Sequence, residues 1–302
     1  MKTNRTIPTV IITTVITIII IGLIVYYLAK NMEERVIRSL TKETKELCED
    51  SLSVTYRDTL HLPSINGIYE HDIAIALKDI AANTSQSNCQ ETTLPPPFTQ
   101  YVKFYGKHGH KHGHHKDIFT AIGFWDTASN IACIGFTGTY GHLEWHDDAE
   151  IKLVPGVKLN GYVDGILVHK GYYEIYTSVR DELIAWYRSL GISNLFLTGS
   201  SMGGATSTLC AFDFASIVQG QLVHYSFASP RCGNVLFADT YDQRVQGGIR
   251  VYNTEDVVIA LPPATFRGNT YKHVCASHGA VGFTKSLGSI TMDHIDAYYD
   301  LP

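Results

Sequence analysis

The sequence lacks the patterns that mark several common classes of protein. None of its six cysteines forms a C-x-x-C pair, which excludes the usual zinc and thioredoxin-type motifs. It has no internal repeat and no excess of positive charge: the formal net charge is −5, so nothing indicates nucleic acid as a partner. Charged residues make up only 18% of the chain and hydrophobic residues 45%, a balance typical of a globular protein. The 302 residues suffice for one α/β domain with an appendage.

The cysteines fall into two groups. Cys133 and Cys210 lie within apolar patterns, so we expect buried thiols. The others could form disulfides in an oxidising compartment, with a connectivity that the sequence does not assign; these are Cys48, Cys89, Cys232 and Cys275.

A long apolar run lies near the N-terminus. Residues 9–29 carry no charge and consist mainly of Ile, Val and Leu, and a helix of this length crosses a bilayer core. Tyr26 and Tyr27 lie where an aromatic belt is expected. The run is too long for a cleaved signal peptide, and no small-x-small site follows it. We therefore predict an uncleaved, single-pass transmembrane helix.

Two features bear on the orientation of this helix, and they disagree. Basic residues are more numerous after the run than before it, which favours a cytoplasmic domain. In contrast, Asn83-Thr84-Ser85 matches the acceptor motif for N-glycosylation. We favour an extracytoplasmic domain, because long domains translocate largely regardless of flanking charge.

The rest of the chain predicts a stem over residues 30–69 and a folded domain over residues 70–302. Helical spacing of apolar residues alternates with short apolar runs in this domain. The predicted helices cover residues 71–82, 173–190 and 204–215, and the predicted strands cover residues 119–125, 131–136, 195–198, 222–227 and 249–252. Such alternation indicates an α/β fold with a mainly parallel central sheet flanked by helices.

The central motif is Gly199-Ser200-Ser201-Met202-Gly203, which fits G-x-S-x-G. A predicted strand precedes it and a predicted helix follows. Such a strand-to-helix turn exposes the serine hydroxyl at the top of a sheet, and the N–H groups of the helix face the same point. Ser201 is therefore our candidate nucleophile.

A serine nucleophile needs a base, which a carboxylate orients, and in α/β-hydrolases the order along the chain is serine, acid, histidine. Asp256 follows a predicted strand, with Glu255 as its rival. For the base, His294 near the end of the chain competes with His278, whereas His224 lies within a strand and precedes the acid. Position alone leaves these choices open.

Several segments resemble the class 3 lipase family, the fungal triacylglycerol lipases. Residues 197–205 resemble its T-G-H-S-L-G-G-A turn, and residues 136–139 its F-R-G-T strand end. Further matches, in the same order as in the family, are residues 168–172 to V-H-x-G-F, residues 227–234 to F-G-S-P-R-V-G-N, and residues 253–263 to N-x-x-D-x-V-P-x-L-P-P. Asp293-His294 with Tyr298 resembles the terminal D-H-x-x-Y, with Tyr298 one position later than in the motif.

The resemblance implies an α/β-hydrolase with Ser201 as nucleophile, Asp256 as orienting acid and His294 as general base. It also implies an oxyanion hole formed by the backbone N–H groups of Thr139 and Met202. No cofactor or metal is expected.

Two positions depart from the family pattern, and one stretch corresponds to the family's lid. Ser200 stands where the family usually has His, and Thr137 where it usually has Arg. Neither supplies a reacting atom. The stretch around Leu143 and Trp145 lies where the family carries its lid, so it is either a mobile lipid-facing segment or an ordinary buried tryptophan.

A histidine-rich tract, residues 107–116, has no counterpart in the family pattern. Such tracts can bind Zn²⁺, Cu²⁺ or Ni²⁺, or bind anionic headgroups when protonated. We favour a solvated loop, because the interspersed Gly and Lys give no fixed geometry.

The sequence thus predicts a membrane-anchored serine lipase or phospholipase whose partner is a lipid ester at a membrane surface. The alternatives are a non-catalytic anchored scaffold with the same fold and an esterase on polar, feruloyl-type esters. The oligomeric state is not indicated.

Overall fold

The computed structural model describes residues 55–87, 90–109, 115–138, 152–266, 268–299 and 301. Within these ranges no helix is long and apolar enough to cross a membrane. The predicted span, residues 9–29, lies outside them.

Twelve strands and five helices make up the described part of the chain. The strands are β1 (Gln100–Gly109), β2 (His115–Asp126), β3 (Ile131–Phe136), β4 (Leu153–Pro155), β5 (Leu167–His169), β6 (Asn194–Ser200), β7 (Leu222–Phe227), β8 (Gly233–Asn234), β9 (Gly247–Asn253), β10 (Thr265–Phe266), β11 (Asn269–Lys272) and β12 (Ala280–Phe283). The helices are α1 (His71–Gln86), α2 (Lys170–Leu190), α3 (Met202–Phe214), α4 (Val235–Arg244) and α5 (Ile290–His294). Short 3-10 helices cover Val257–Ala260 and Asp296–Tyr299.

The main sheet has seven strands in the order β1-β2-β3-β6-β7-β9-β12. The pairs from β3 to β12 are parallel, whereas β1 and β2 add an antiparallel hairpin at one edge. The prediction of a mainly parallel α/β sheet is therefore confirmed. A smaller sheet, β10-β11-β8-β5-β4, is antiparallel.

Helices cover both faces of the main sheet, as the apolar patterns predict. On one face, Ile73, Leu77 and Ile80 of α1 are buried against the sheet, which confirms the predicted stripe. On the other face, α2 and α3 pack in a second core. Helix α2 begins three residues before its predicted start and ends where predicted, because Gly191 takes the left-handed conformation (φ +64°) that terminates helices.

The histidine tract differs from the predicted solvated loop. Strands β1 and β2 extend into it, so that His108 pairs with Lys116 and Gly109 with His115. The pairing follows from the hairpin, since each strand supplies hydrogen-bond partners for the other whatever their composition. Residues 110–114 lie outside the described part.

The glycosylation motif at Asn83 does not support an extracytoplasmic domain, because Asn83 is buried. Asn83 lies within α1, is only 2% exposed, and its amide donates a 2.9 Å hydrogen bond to the Thr93 carbonyl. This side chain is not accessible to a glycosyltransferase in the folded protein, so the acceptor-site interpretation is wrong for the folded state.

The described cysteines are all free and buried: Cys133, Cys210, Cys232 and Cys275. This confirms the first two as buried thiols, whereas Cys232 and Cys275, which were expected to be able to form disulfides, are free thiols. Cys48 and Cys89 lie outside the described ranges.

The end of the predicted stem packs on the domain. Leu60 is buried with α1, and the Arg57 guanidinium donates to the Asp79 carboxylate at 2.6 Å. The domain boundary at residue 70 stays a prediction, because the first part of the predicted stem, residues 30–54, lies outside the described residues.

Candidate active site

Ser201 occupies the tight turn between β6 and α3. Its backbone has φ +59° and ψ −126°, a conformation that costs energy for a residue with a side chain. The Ser201 N–H donates to the Phe227 carbonyl at 2.9 Å, which ties the turn to the end of β7. The residue as a whole is half-buried.

The glycines of the motif allow backbone to pack on backbone. A Cβ at Gly199 would lie 2.3 Å from the carbonyl carbon of Gly203. A Cβ at Gly203 would lie 2.5 Å from the carbonyl oxygen of Phe136. The turn is therefore pressed against the end of β3, from which the predicted oxyanion loop departs.

Asp256 and His294 are in direct contact. The Nδ1 atom of His294 lies 2.8 Å from Oδ2 of Asp256, and both residues are only 2% exposed. The second carboxylate oxygen, Oδ1, accepts a 2.9 Å hydrogen bond from the Val258 N–H, where Asp256 caps a 3-10 helix. In the tautomer whose Nδ1–H donates to Asp256, Nε2 is the proton acceptor of the ring.

The topology places Ser201 at the same edge of the sheet. Ser201 follows the carboxyl end of β6 and Asp256 follows that of β9, and both strands run parallel to β7 between them. Parallel strands bring their carboxyl ends to one edge, which is where sites form in open α/β sheets.

The rival residues are placed elsewhere. Glu255 is exposed. His278 precedes β12 and so lies at the amino end of the parallel strands, where its Nδ1 contacts Ser277 Oγ at 3.2 Å. His224 is fully buried inside β7, between Ser207 and Tyr241. The structure therefore brings together one acid and one histidine at the serine's edge, Asp256 and His294.

The structure describes one of the two predicted oxyanion donors, Met202. Met202 is the first residue of α3, so its backbone N–H belongs to the N-terminal end of the helix, where the dipole favours negative charge. Thr139 lies outside the described residues.

Two residues that support the site were given no role in the sequence analysis. The Ser85 hydroxyl of α1 accepts a 3.1 Å hydrogen bond from the Gly138 N–H, which fixes the residue before Thr139. The Tyr298 hydroxyl donates to Asp256 Oδ2 at 2.9 Å. The D-H-x-x-Y match drew attention to Tyr298, whereas no sequence signal indicates Ser85.

Burial keeps Tyr298 protonated. It is fully buried, and burial, together with the neighbouring Asp256 carboxylate, raises the pKa of the Tyr298 phenol well above its usual value. The phenol is therefore a permanent neutral donor to Asp256.

Comparison with known proteins shows which family this part of the chain resembles. Residues 133–266 match the family model "Lipase (class 3)", a stretch that contains Ser201 and Asp256. Over these residues, which are less than half of the chain, the sequence is similar to the class 3 lipase family. His294 lies beyond the matched stretch, and its contact with Asp256 comes from the structure.

Individual relatives are similar to this chain over part of their length. A phospholipase A(1) of Arabidopsis thaliana is 31% identical over 147 residues, which cover 43% of this chain and 33% of the relative. A lipase of Rhizomucor miehei is 36% identical over 115 residues, 34% of this chain and 31% of the relative. The matches thus span about a third of each relative's length.

A solved structure shares the fold. The native propeptide complex of Rhizomucor miehei lipase superposes with a TM-score of 0.50 at 22% identity, and covers 74% of each chain. This likeness supports the α/β-hydrolase architecture described above.

The departures from the family pattern leave the turn intact. Ser200 is half-buried at the end of β6, and Thr137 is buried, with its hydroxyl donating to the Gly138 carbonyl at 3.2 Å. The stretch around Leu143 and Trp145 lies outside the described residues, so its two interpretations, a lid or a buried tryptophan, stay predictions.

Proposed function

We propose that this chain is a class 3 lipase, a serine carboxylic ester hydrolase that cleaves the acyl esters of triacylglycerol or phospholipid through an acyl-enzyme intermediate. The contact between His294 Nδ1 and Asp256 Oδ2, at the sheet edge that carries Ser201, is the observation that supports it most strongly.

Acylation begins when His294 Nε2 takes the Ser201 hydroxyl proton as Oγ attacks the ester carbonyl carbon. The carbonyl oxygen then carries the negative charge, and the N–H groups of Thr139 and Met202 would stabilise it. The His294 imidazolium, held by Asp256, gives its proton to the departing alcohol. In deacylation, a water molecule gives a proton to His294 and attacks the carbonyl carbon of the acyl-enzyme. His294 then returns the proton to Ser201 Oγ, and the fatty acid is released.

The oxyanion donors carry much of the expected rate enhancement. A preorganised N–H at the developing charge typically lowers the barrier by about 2.7–4 kcal/mol. In this chain the α3 N-terminus adds a dipole of the right sign at the same point.

The substrate class is supported by the relatives and by the sequence. One matched relative is a phospholipase A(1) and another a lipase. A transmembrane helix at residues 9–29 would hold the domain at a bilayer, where acyl esters are concentrated.

The nucleophile is tested by Ser201→Ala in the full-length protein, assayed on short p-nitrophenyl esters. We expect hydrolysis to be abolished with unchanged expression. Ser200→Ala is the matched control, because the neighbouring hydroxyl is given no role in bond making. Retained activity in Ser201→Ala would refute the assignment.

Two further experiments separate the alternatives. An active-site phosphonate should label Ser201, and a protein that it fails to label would be the non-catalytic scaffold. Rates on micellar and monomeric esters of equal chain length distinguish a lipase, which should prefer the micelle, from an esterase on polar, feruloyl-type esters.

Membrane anchoring is proposed separately, with the catalytic domain on the extracytoplasmic side. We expect the full-length protein to stay in the membrane pellet during alkaline carbonate extraction, and Ile19→Lys combined with Ile21→Lys to release it. Protease treatment of sealed vesicles reports the side. Because Asn83 is buried, the glycosylation motif no longer supports this orientation. The proposal then depends on the principle that long domains cross the membrane largely regardless of the charges that flank the helix.

A further inference from the structure

Three potential metal ligands converge outside the candidate active site. The Nε2 atom of His61 lies 3.4 Å from Oδ2 of Asp72 and 3.9 Å from Oε2 of Glu70. One ligand atom from each of these residues lies within 4.8 Å of the other two. His61 comes from the segment that precedes α1, Glu70 is the N-cap of α1, and Asp72 lies in its first turn.

Each side chain is oriented by a second contact. His61 Nδ1 lies 3.3 Å from the Thr59 carbonyl, to which it can donate its proton. Glu70 Oε1 accepts from the Ser64 N–H at 2.7 Å, and Asp72 Oδ1 from the Ile73 N–H at 2.9 Å. In each residue one polar atom is held by the backbone, and the other is directed to the shared point. Metal-binding histidines are typically oriented by such a contact at the second ring nitrogen.

The charge and spacing at this point suit a divalent cation. Two carboxylate oxygens and one imidazole lone pair are mutually repulsive unless a positive charge lies between them. Zinc binds nitrogen and carboxylate oxygen at about 2.0–2.2 Å with tetrahedral geometry, which separates neighbouring ligand atoms by about 3.3–3.5 Å. The 3.4 Å separation between His61 and Asp72 meets this value, and the 3.9 Å separation to Glu70 needs only a small rotation.

We propose that His61, Glu70 and Asp72 bind one Zn²⁺ ion, with water in the fourth position. The His61 side chain is 48% exposed, so the ion can enter from solvent.

The location indicates a structural role. The neighbouring residues Asn66 and Gly67 contact Gly247 and Gln246, where β9 begins. Ser201, by contrast, follows the carboxyl end of its strand. The ion therefore fastens the segment before α1 to the helix, at the opposite edge of the sheet from the serine.

The test must exclude zinc bound by the histidine tract. The starting protein is the full-length chain with the tract histidines replaced by asparagine: His108, His110, His112, His114 and His115. Zinc chloride is titrated by calorimetry, and thermal unfolding is followed with and without the ion. We expect one Zn²⁺ per chain and a higher unfolding midpoint when zinc is present.

Two variants in this background locate the ion, and a third is the control. His61→Ala should weaken zinc binding by at least about tenfold and abolish the zinc-dependent rise in midpoint. Glu70→Gln should also weaken it, while it keeps the acceptor for the Ser64 N–H. His71→Ala removes an exposed histidine outside the ligand set and should change nothing.

Equal zinc affinity in the His61→Ala and His71→Ala proteins would overturn the proposal. So would a starting protein that binds no zinc, in which case the cluster is an ion pair of protonated His61 with two carboxylates. Selective binding of Ca²⁺ or Mg²⁺ would overturn the assignment of zinc.

Discussion

Tyr298 and Asp256 are joined by a buried hydrogen bond on the same carboxylate oxygen that His294 contacts. The phenol oxygen lies 2.9 Å from Asp256 Oδ2 and accepts, at 2.9 Å, the Asn253 N–H. Tyr298 thus links the end of β9 to the proposed orienting acid. Its role is to position Asp256, and through it the imidazole.

Tyr298→Phe is expected to lower kcat about tenfold with little change in KM, a loss of about 1.4 kcal/mol of transition-state stabilisation. The reason is that Asp256 loses one of its donors and holds His294 less firmly. Unfolding should also become easier by about 1–3 kcal/mol, because the buried Asn253 N–H loses its acceptor. Steady-state kinetics and urea unfolding measure the two effects.

Tyr187→Phe is the matched control. This phenol is also buried and donates to a carbonyl, that of Ser193, at 3.1 Å, but it lies at the end of α2 away from Asp256. It should lose stability and keep kcat. If both variants lost stability and neither lost activity, Tyr298 would have no positioning role.

Ser85→Ala tests the support of the proposed oxyanion loop. Without this hydroxyl, the Gly138 N–H loses its 3.1 Å acceptor, and the loop that leads to Thr139 is held less firmly. We expect kcat on p-nitrophenyl esters to fall about three- to tenfold with KM unchanged, since only the developing oxyanion is affected.

The control for this prediction is Ser87→Ala. Ser87 follows α1, and its hydroxyl donates to the Asn83 carbonyl at 2.7 Å without reaching the loop. Equal activity in Ser85→Ala and Ser87→Ala would show that the contact with Gly138 does not contribute to catalysis.

The features that the sequence predicted correctly are those that depend on neighbouring residues in the chain. Gly191 ends α2 as predicted because a left-handed C-terminal residue is a local requirement. The glycines around Ser201 mark a tight turn for the same reason. The meeting of Asp256 and His294 was foreseen through the family resemblance, since position alone left Glu255 and His278 open.

Features that depend on distant partners could not be predicted. Ser85 reaches Gly138 across 53 positions of the chain, and no periodicity signals such a contact. The tract beginning at His108 has a composition typical of a loop, yet it continues two paired strands. In both cases the partner, and not the segment's own propensity, decides the outcome.

Gly203→Ala tests the close packing of the nucleophile turn. The new Cβ would lie 2.5 Å from the Phe136 carbonyl oxygen and 2.8 Å from that of Thr137, and neither backbone atom can move aside. We expect loss of activity together with a clear fall in the midpoint of thermal unfolding. Gly156→Ala is the control, because its Cβ would meet only side-chain carbons, at 3.3 Å or more. A Gly203→Ala protein with normal activity would contradict this packing.

His224 should make the protein less stable in acid. It is fully buried between Ser207 and Tyr241, and burial lowers its pKa from 6.5 to about 3. Between these pH values the unfolded chain binds a proton that the folded protein does not. The free energy of unfolding therefore decreases by about 1 kcal/mol for each unit by which the pH is lowered. Urea unfolding at pH 7, 6 and 5 should therefore show a shallower pH dependence for His224→Gln than for the exposed control His71→Gln. Equal slopes in the two variants would mean that His224 is protonated in the folded protein as readily as in the unfolded chain.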